Sequence, residues 1–567
     1  MAEETLAIIT SFAQQSLWLQ NRIDPGRSDY TVAAAVRLRG PLDVPALEAA
    51  LNAVAARHET LRTVFRLDDG VPVQVIGPVP VLRVPVDDVT PEQVDDLVRQ
   101  ETGTPFDLAT GPLIRLRLLR LSAEHHVAVL AMHHIVTDGD SSEILLRELM
   151  LCYAAGRSGT SAGLPELPIQ YADFAVWQRD TLSGARLAEL TAYWAERLAG
   201  AAPVALPAAR ARTDADRAPG AAHPVSVPAG LRDRLEAAAR ERGATLFMAL
   251  LAGFGVLLSR HCRQDDITVL SPVSGRSRPE LEGLIGYFVN PLLLRTDLSG
   301  DPGAPEVLDR ARETCLGAYD HQELPYEQVA GLAAAPGGDH GTGRGALGRV
   351  MMVLQSPRPR TWHMAGLELE QLPVGMGAAK AGLVLDLRPG PNGLDGVLEY
   401  DAALLDAATV AALAEDLPAV LGWLADRSPL PVSAVPGLKG PASPAPAAAP
   451  ARAATGAQST ARAPYVAPRT PLEEEIALIW AELLGQETVG VYDNFFDLGG
   501  QSLAAVRLTA RLRDEFGVEL AVRELFAGFT VEEVAWRVLQ ELTATGPGTP
   551  EAAAPDATGE PGSPIRT

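Results

Sequence analysis

From Pro436 to Pro468 the chain reads "PGLKGPASPAPAAAPARAATGAQSTARAPYVAP". Proline, alanine, glycine and serine dominate, and large apolar side chains are almost missing. Such a segment cannot bury enough surface to offset the entropy lost on ordering, so it can only connect folded parts. It separates a long amino-terminal body from a short carboxy-terminal segment. The 567 residues exceed what one core can organise, and two to four domains are expected.

The body alternates helical and strand-like periods. In "PLDVPALEAALNAVAARHETLRTVF", Asp43 is placed to cap a helix, Leu42 to staple onto Leu47, and Leu47, Leu51 and Val54 to form its buried face. A strand should begin at Thr63, leaving Arg62 at a junction. "HVAVLAMHHIV" is apolar on both faces, the pattern of a strand inside a sheet. A turn is expected at Asp138-Gly139, then a helix opened by a capping box of Asp140 and Glu143. The run "LFMALLAGFGVLLSRH" from Leu246 has thirteen unbroken residues before Ser259, short of the roughly 20 that cross a bilayer. It predicts a buried helix capped by Thr245. After the linker, three amphipathic segments predict a small helical bundle: one ending at Gly485, one opening at Ser502 and one capped by Thr530.

Charge and cysteine content narrow the function. With 48 basic against 71 acidic residues and a net charge of −23, the chain has no surplus of cations to neutralise phosphates, so nucleic acid is not an expected partner. Cys152, Cys262 and Cys315 are far apart, with no C-x-x-C pair, which supports neither a zinc ribbon nor a disulfide framework. No secretory leader is read at the amino terminus. The expectation is a cytoplasmic protein with no membrane partner.

The stretch "MHHIVTDGDS" concentrates the ionisable groups. Strand side chains alternate, so His133 and His134 cannot share one metal ion, and no His-Glu-x-x-His or cysteine pair supplies further ligands. No metal is expected. One imidazole should face a cavity and the other pack inward. A histidine can accept or donate a proton near neutral pH, which suits an amine or hydroxyl attacking an acyl group. Asp138 reads as a structural carboxylate in need of a buried partner, and Arg62 is the expected one. In "DLGGQSL", two glycines precede Ser502 at a helix start, with no nearby histidine to activate it. A serine so placed suits carrying a covalent group better than catalysis.

Taken in order, "SFAQQSLWLQ", "RHETLRTVF", "MHHIVTDG", "YADFAVWQ", "IGYFVNPLLLR" and "HQELPYEQV" resemble the motifs of nonribosomal peptide synthetase condensation domains, with "GRVMMVLQS" following, and "FFDLGGQSL" resembles a peptidyl carrier protein. The resemblance implies an α/β body of two chloramphenicol-acetyltransferase-like lobes in a V with a tunnel between them, followed by a small all-α carrier bundle. The corresponding boundaries are 1–180 and 181–436 for the lobes, 437–466 for the linker, 467–543 for the carrier and 544–567 for a disordered tail. By motif match, His134 is the catalytic histidine, with Gly139 beside the reacting groups and His133, Asp138 and Arg62 in support. Tyr171, Asn290 and Pro291 fall on the acceptor side of the tunnel, and Ser502 receives 4′-phosphopantetheine.

The implied reaction joins an acyl thioester from a donor carrier protein to an amine on the chain's own carrier. An ester-forming variant, an epimerization domain and a degenerate recruitment platform are the alternatives. With no adenylation domain between body and carrier, loading is expected from a trans-acting adenylation enzyme after a phosphopantetheinyl transferase installs the arm. The donor is expected on a separate upstream protein. Ser16, Asp140, Pro291 and the run Lys380, Ala381, Gly382, Leu383 depart from the family's usual residues.

Overall fold

The computed structural model describes residues 6–26, 28, 30–207, 220–333, 346–356, 361–372, 381–438, 465–493, 495, 498, 508–509, 511–513, 515–518, 520 and 530–544. The chain forms two compact units, Met1–Ser459 and Thr460–Thr567.

In the larger unit, the strand His125–His133 lies inside a six-stranded sheet, flanked by the antiparallel strands Thr31–Arg39 and Ile114–Ser122. Its alternation separates two cores. Leu130 and Met132 join the cluster built with Leu47, Leu51 and Val54 of the helix Val44–Arg57 and Ile144, Leu145 and Leu149 of the helix Gly139–Ser158. Val127 and Val129 face a smaller cluster with Val94 and Val98. A strand buried on both faces needs apolar residues at every register, which explains the unbroken run. Asp43 caps its helix by accepting from the Ala46 N–H at 3.0 Å, as its position predicts.

A second six-stranded sheet runs in the order Asn290–Asp297, Asp266–Val273, Val350–Leu354, Leu383–Gly390, Gly393–Asp401 and Gly220–Pro228. The helix Leu246–Cys262 packs against it, buried nearly all round and capped by Thr245 onto the Met248 N–H. The helix Ala407–Ala425 is, among the described residues, long and apolar enough to cross a membrane. It packs on Leu246–Cys262, and Leu413, Leu417 and Leu421 are buried in the same core.

The two lobes do not divide cleanly at residue 180. The hairpin Thr361–Met364 with Leu367–Leu372, which the expected boundary assigns to the second lobe, adds to the first lobe's sheet. Leu369 pairs with Leu38, and Leu367 and Leu369 are each 2% exposed in the first core. The expected boundary is therefore corrected: the second half of the chain supplies part of the first sheet.

In the smaller unit, Thr470 caps the helix Pro471–Leu484, which stops at Gly485 in the left-handed region, and Thr530 caps the helix Val531–Ala544. Trp480, Phe495, Leu508, Leu512, Val534 and Val538 make its core. Arg469 bridges Glu473 and Glu532, tying the first helix to the last.

Candidate active site

The central strand ends at His133, and the next three residues, His134–Val136, form a single 3₁₀ turn. This bend gives the two imidazoles different surroundings. His133 is 2% exposed and packs near the rings of Tyr30 and Phe106. Its Nδ1 accepts from the Ile135 N–H at 3.1 Å. Burial, followed by the charge of His134, pushes its pKa down to about 3, so it stays neutral.

His134 is only partly buried, and its Nδ1 lies 2.7 Å from the Thr137 carbonyl oxygen. A carbonyl can only accept, so Nδ1 carries the proton and Nε2 of the neutral ring carries the lone pair. Tyr287 meets the imidazole edge-on at 4.8 Å between centroids.

Asp138 caps the helix Gly139–Ser158 by accepting from the Ser141 N–H at 2.8 Å. The cap is thus two residues earlier than the expected Asp140, which sits in the first helical turn. Asp138 does have a buried cationic partner, but it is Arg276. The guanidinium donates to both carboxylate oxygens at 3.0 and 3.1 Å, with side chains 6% and 2% exposed. The Phe288 N–H adds a third contact at 2.9 Å. The Arg62 pairing is therefore corrected. Arg62 turns instead to Glu59 at 3.2 Å and to the Gly77 carbonyl, because the 3₁₀ turn Glu59–Arg62 points it toward its own loop.

The Asp138–Arg276 bridge is one of several ties between lobes. Ser141 Oγ donates to the Gly286 carbonyl at 2.8 Å and accepts from the Gly286 N–H at 3.0 Å. Two glycines make this approach feasible. A Cβ on Gly286 would lie 1.9 Å from the Tyr171 ring, and one on Gly275, at φ +66°, 2.0 Å from the Phe288 carbonyl oxygen. Arg276 was not legible in "SPVSGRSRPE", since no spacing rule connects positions 138 residues apart in sequence. The glycine before it was the only local signal. Gly139 differs: a Cβ there would meet no atom within 4 Å, so packing does not demand glycine, and the space beside it is open.

The three acceptor-side residues occupy different settings. Tyr171 is 1% exposed; its hydroxyl donates to the Tyr287 carbonyl at 2.7 Å and lies 2.9 Å from Ser11 Oγ. It is a buried strut that ties the helix Tyr171–Thr181 to Tyr287 and Ser11. Asn290 donates to the carbonyls of Gln322 and Leu324 and accepts from the Tyr326 N–H, fixing the loop that precedes the helix Tyr326–Ala333. Pro291 lies on the outermost strand of its sheet, where a missing N–H is tolerated. Of the unusual run, Lys380 is outside the described residues, and Leu383 begins an interior strand.

Ser16 has a specific consequence. The helix Phe12–Ile23 packs on Tyr326–Ala333, and there burial pushes Glu327 up to about 7, opposed by its own backbone N–H and by a hydrogen bond from Ser16. The native state then holds a proton that the unfolded chain has released, so stability should fall as pH rises from about 4.5 to 7, by about 2–3 kcal/mol. Glu327→Gln should flatten this slope in denaturant midpoints measured across that window. A slope equal to the parent's would remove Glu327 as its source.

Ser502 lies outside the described residues. It falls between Leu498 and Leu508, both packed into the carrier-unit core. Gln486 donates to the Leu498 carbonyl at 3.3 Å, fixing the near flank. A phosphodiester link to an arm needs a hydroxyl, and Ser502 has one.

The larger unit holds two six-stranded sheets, one of them ending at the paired histidines, and the smaller unit is helical. Residues 5–435 match the condensation domain family and residues 474–538 match the phosphopantetheine attachment site. The chain belongs to the condensation domain family of nonribosomal peptide synthetases, whose members are acyltransferase-type enzymes forming peptide bonds, and its carrier takes 4′-phosphopantetheine on a serine. It is 41% identical over 415 residues to a linear gramicidin synthase polypeptide of Brevibacillus parabrevis, covering 71% of this chain and 8% of that protein. It is 37% identical over 445 residues to phosphinothricin tripeptide synthetase PhsB of Streptomyces viridochromogenes, covering 76% and 37%. This chain therefore spans a small part of each relative. Among solved structures, the X-domain from teicoplanin biosynthesis in complex with OxyB superposes with TM-score 0.69 at 29% identity, covering 77% of this chain and 97% of that one. SgcC5 of Streptomyces globisporus gives 0.61 at 27%, covering 75% and 100%.

Proposed function

We propose that this protein joins an acyl thioester delivered by a donor carrier protein to an amine held on its own carrier at Ser502. The observation that carries the reading is the His134 ring, locked through Nδ1 onto the Thr137 carbonyl with its lone pair on Nε2. The arm supplies the thiol to which a substrate is esterified and the reach to bring it to the site. The amine nitrogen attacks the donor's carbonyl carbon, a C–N bond forms and the C–S bond breaks. Nε2 takes the proton leaving nitrogen, and that proton ends on the departing thiolate. His133, held neutral behind the turn, adds no competing charge. Asp138 and Arg276 fix the helix start, and the open space beside Gly139 gives substrate an approach.

The donor carrier, a trans-acting adenylation enzyme and a phosphopantetheinyl transferase complete the system. The free thiols of Cys152, Cys262 and Cys315 suit a reducing cytoplasm. The deciding experiment loads Ser502 with coenzyme A and a transferase, follows intact mass, and then offers matched amine and alcohol acceptors to one loaded donor. One added arm, absent in Ser502→Ala, and amide product are expected. Exclusive ester product would overturn the amide reading, and a modified Ser502→Ala protein the attachment site. A second reading, a platform recruiting a partner enzyme to carrier-bound cargo, is supported by the likeness to the X-domain solved with OxyB.

A further inference from the structure

Where the lobes meet, the helix Tyr171–Thr181, the segment Gly275–Ser277 and the residues Tyr287–Asn290 enclose a cavity of about 60 Å³. A void admitting one water needs roughly 10–15 Å³, so this one takes several non-hydrogen atoms, though not a whole arm. Its wall includes Tyr287, whose ring also touches His134, so its contents lie one side chain away from the imidazole.

The lining decides what fits. Phe174, Leu182 and Phe288 are 6%, 5% and 4% exposed and form the apolar base. Four of the polar side chains in the wall are already engaged. Gln178 Oε1 accepts from the Phe12 N–H, Asn290 makes its three bonds, Gln322 Nε2 donates to the Tyr319 carbonyl, and Glu323 pairs with Arg186 at 3.0 Å. A polar ligand would lose its hydration there with little in return, whereas an apolar one would gain burial. At the rim, Trp177 is held under the Arg278 guanidinium at 4.7 Å, and Thr181 is exposed at the end of its helix.

We propose that this cavity is a specificity pocket seating the apolar side chain, roughly three to five carbons long, of one thioester-bound substrate. The inference rests on the condensation reading. Either the donor or the acceptor could supply the side chain, and the test separates them.

Binding to the full chain is measured with unreactive pantetheine analogues in which an amide replaces the thioester. Glycyl and leucyl versions are compared in an acceptor arm, with a free amine, and in a donor arm, with that amine acetylated. In one arm the leucyl analogue should bind about ten- to hundred-fold more tightly than the glycyl one. Thr181→Trp, filling the pocket from its exposed rim, should erase that preference, with an unchanged denaturant midpoint reporting an intact fold. Val289→Ala should shift preference toward a larger side chain. Equal glycyl and leucyl affinities in both arms, or a preference unchanged in both variants, would overturn the proposal. Because the analogues do not react, a failure of amide formation leaves this result standing.

Discussion

His134→Ala is expected to slow acyl transfer between loaded carriers by about 10²–10⁴-fold, the range that a positioned proton acceptor contributes. The loss should appear in single-turnover rates, with carrier loading unaffected. The substitution removes both the Nε2 lone pair and the bond that orients the ring on Thr137. His134→Gln separates these functions, since its amide can donate to that carbonyl yet accepts a proton poorly. A glutamine variant as slow as the alanine one assigns the loss to proton transfer, and a fast one assigns it to positioning. An alanine variant within twofold of the parent would end the catalytic assignment and favour the recruitment platform.

The second large effect concerns stability. Asp138→Ala takes from the Arg276 guanidinium its buried carboxylate, leaving the exposed Asp140 at 3.5 Å, and deprives the helix Gly139–Ser158 of its cap. Breaking a buried pair by removing one partner costs about 3–5 kcal/mol. Denaturant unfolding should show that loss, and a double-mutant cycle should find strong coupling between Asp138 and Arg276 and none between Asp138 and Arg62. Coupling to Arg62 instead would contradict the geometry. Activity should fall as well, because the same carboxylate anchors the Phe288 N–H beside Tyr287.

These two residues show what a sequence can and cannot disclose. The strand under His133, the helices capped by Asp43, Thr245 and Thr530, and the buried face of Leu47, Leu51 and Val54 follow from local periodicity and capping chemistry, so they were readable. That Asp138 needed a buried cation was also readable from its chemistry. Which arginine answered was not, because Arg276 arrives from the other lobe and only three-dimensional packing brings it there. Arg62 looked plausible because it is near in sequence and ends a predicted junction. The cap misplacement has a simpler cause: Asp138 and Asp140 both satisfy the capping pattern, and the turn at His134–Val136 decides between them. Motif order singled out His134 as the catalytic candidate, while a division at residue 180 leaves out a hairpin beyond residue 360 that returns to the first sheet.

That hairpin affects how the protein can be made and recombined. Until Leu372 has left the ribosome, the strand Thr31–Arg39 has an open edge where Leu367–Leu372 will pair. From residue 180 onward this lasts roughly 10–40 s at ordinary rates of synthesis. An unpaired edge is a template for wrong partners, so nascent chains are most vulnerable to aggregation in that interval. For the same reason, a first lobe exchanged between relatives by cutting at residue 180 leaves behind strands that belong to it. A chimaera should carry Thr361–Leu372 along with its sheet, or accept a seam through the first core.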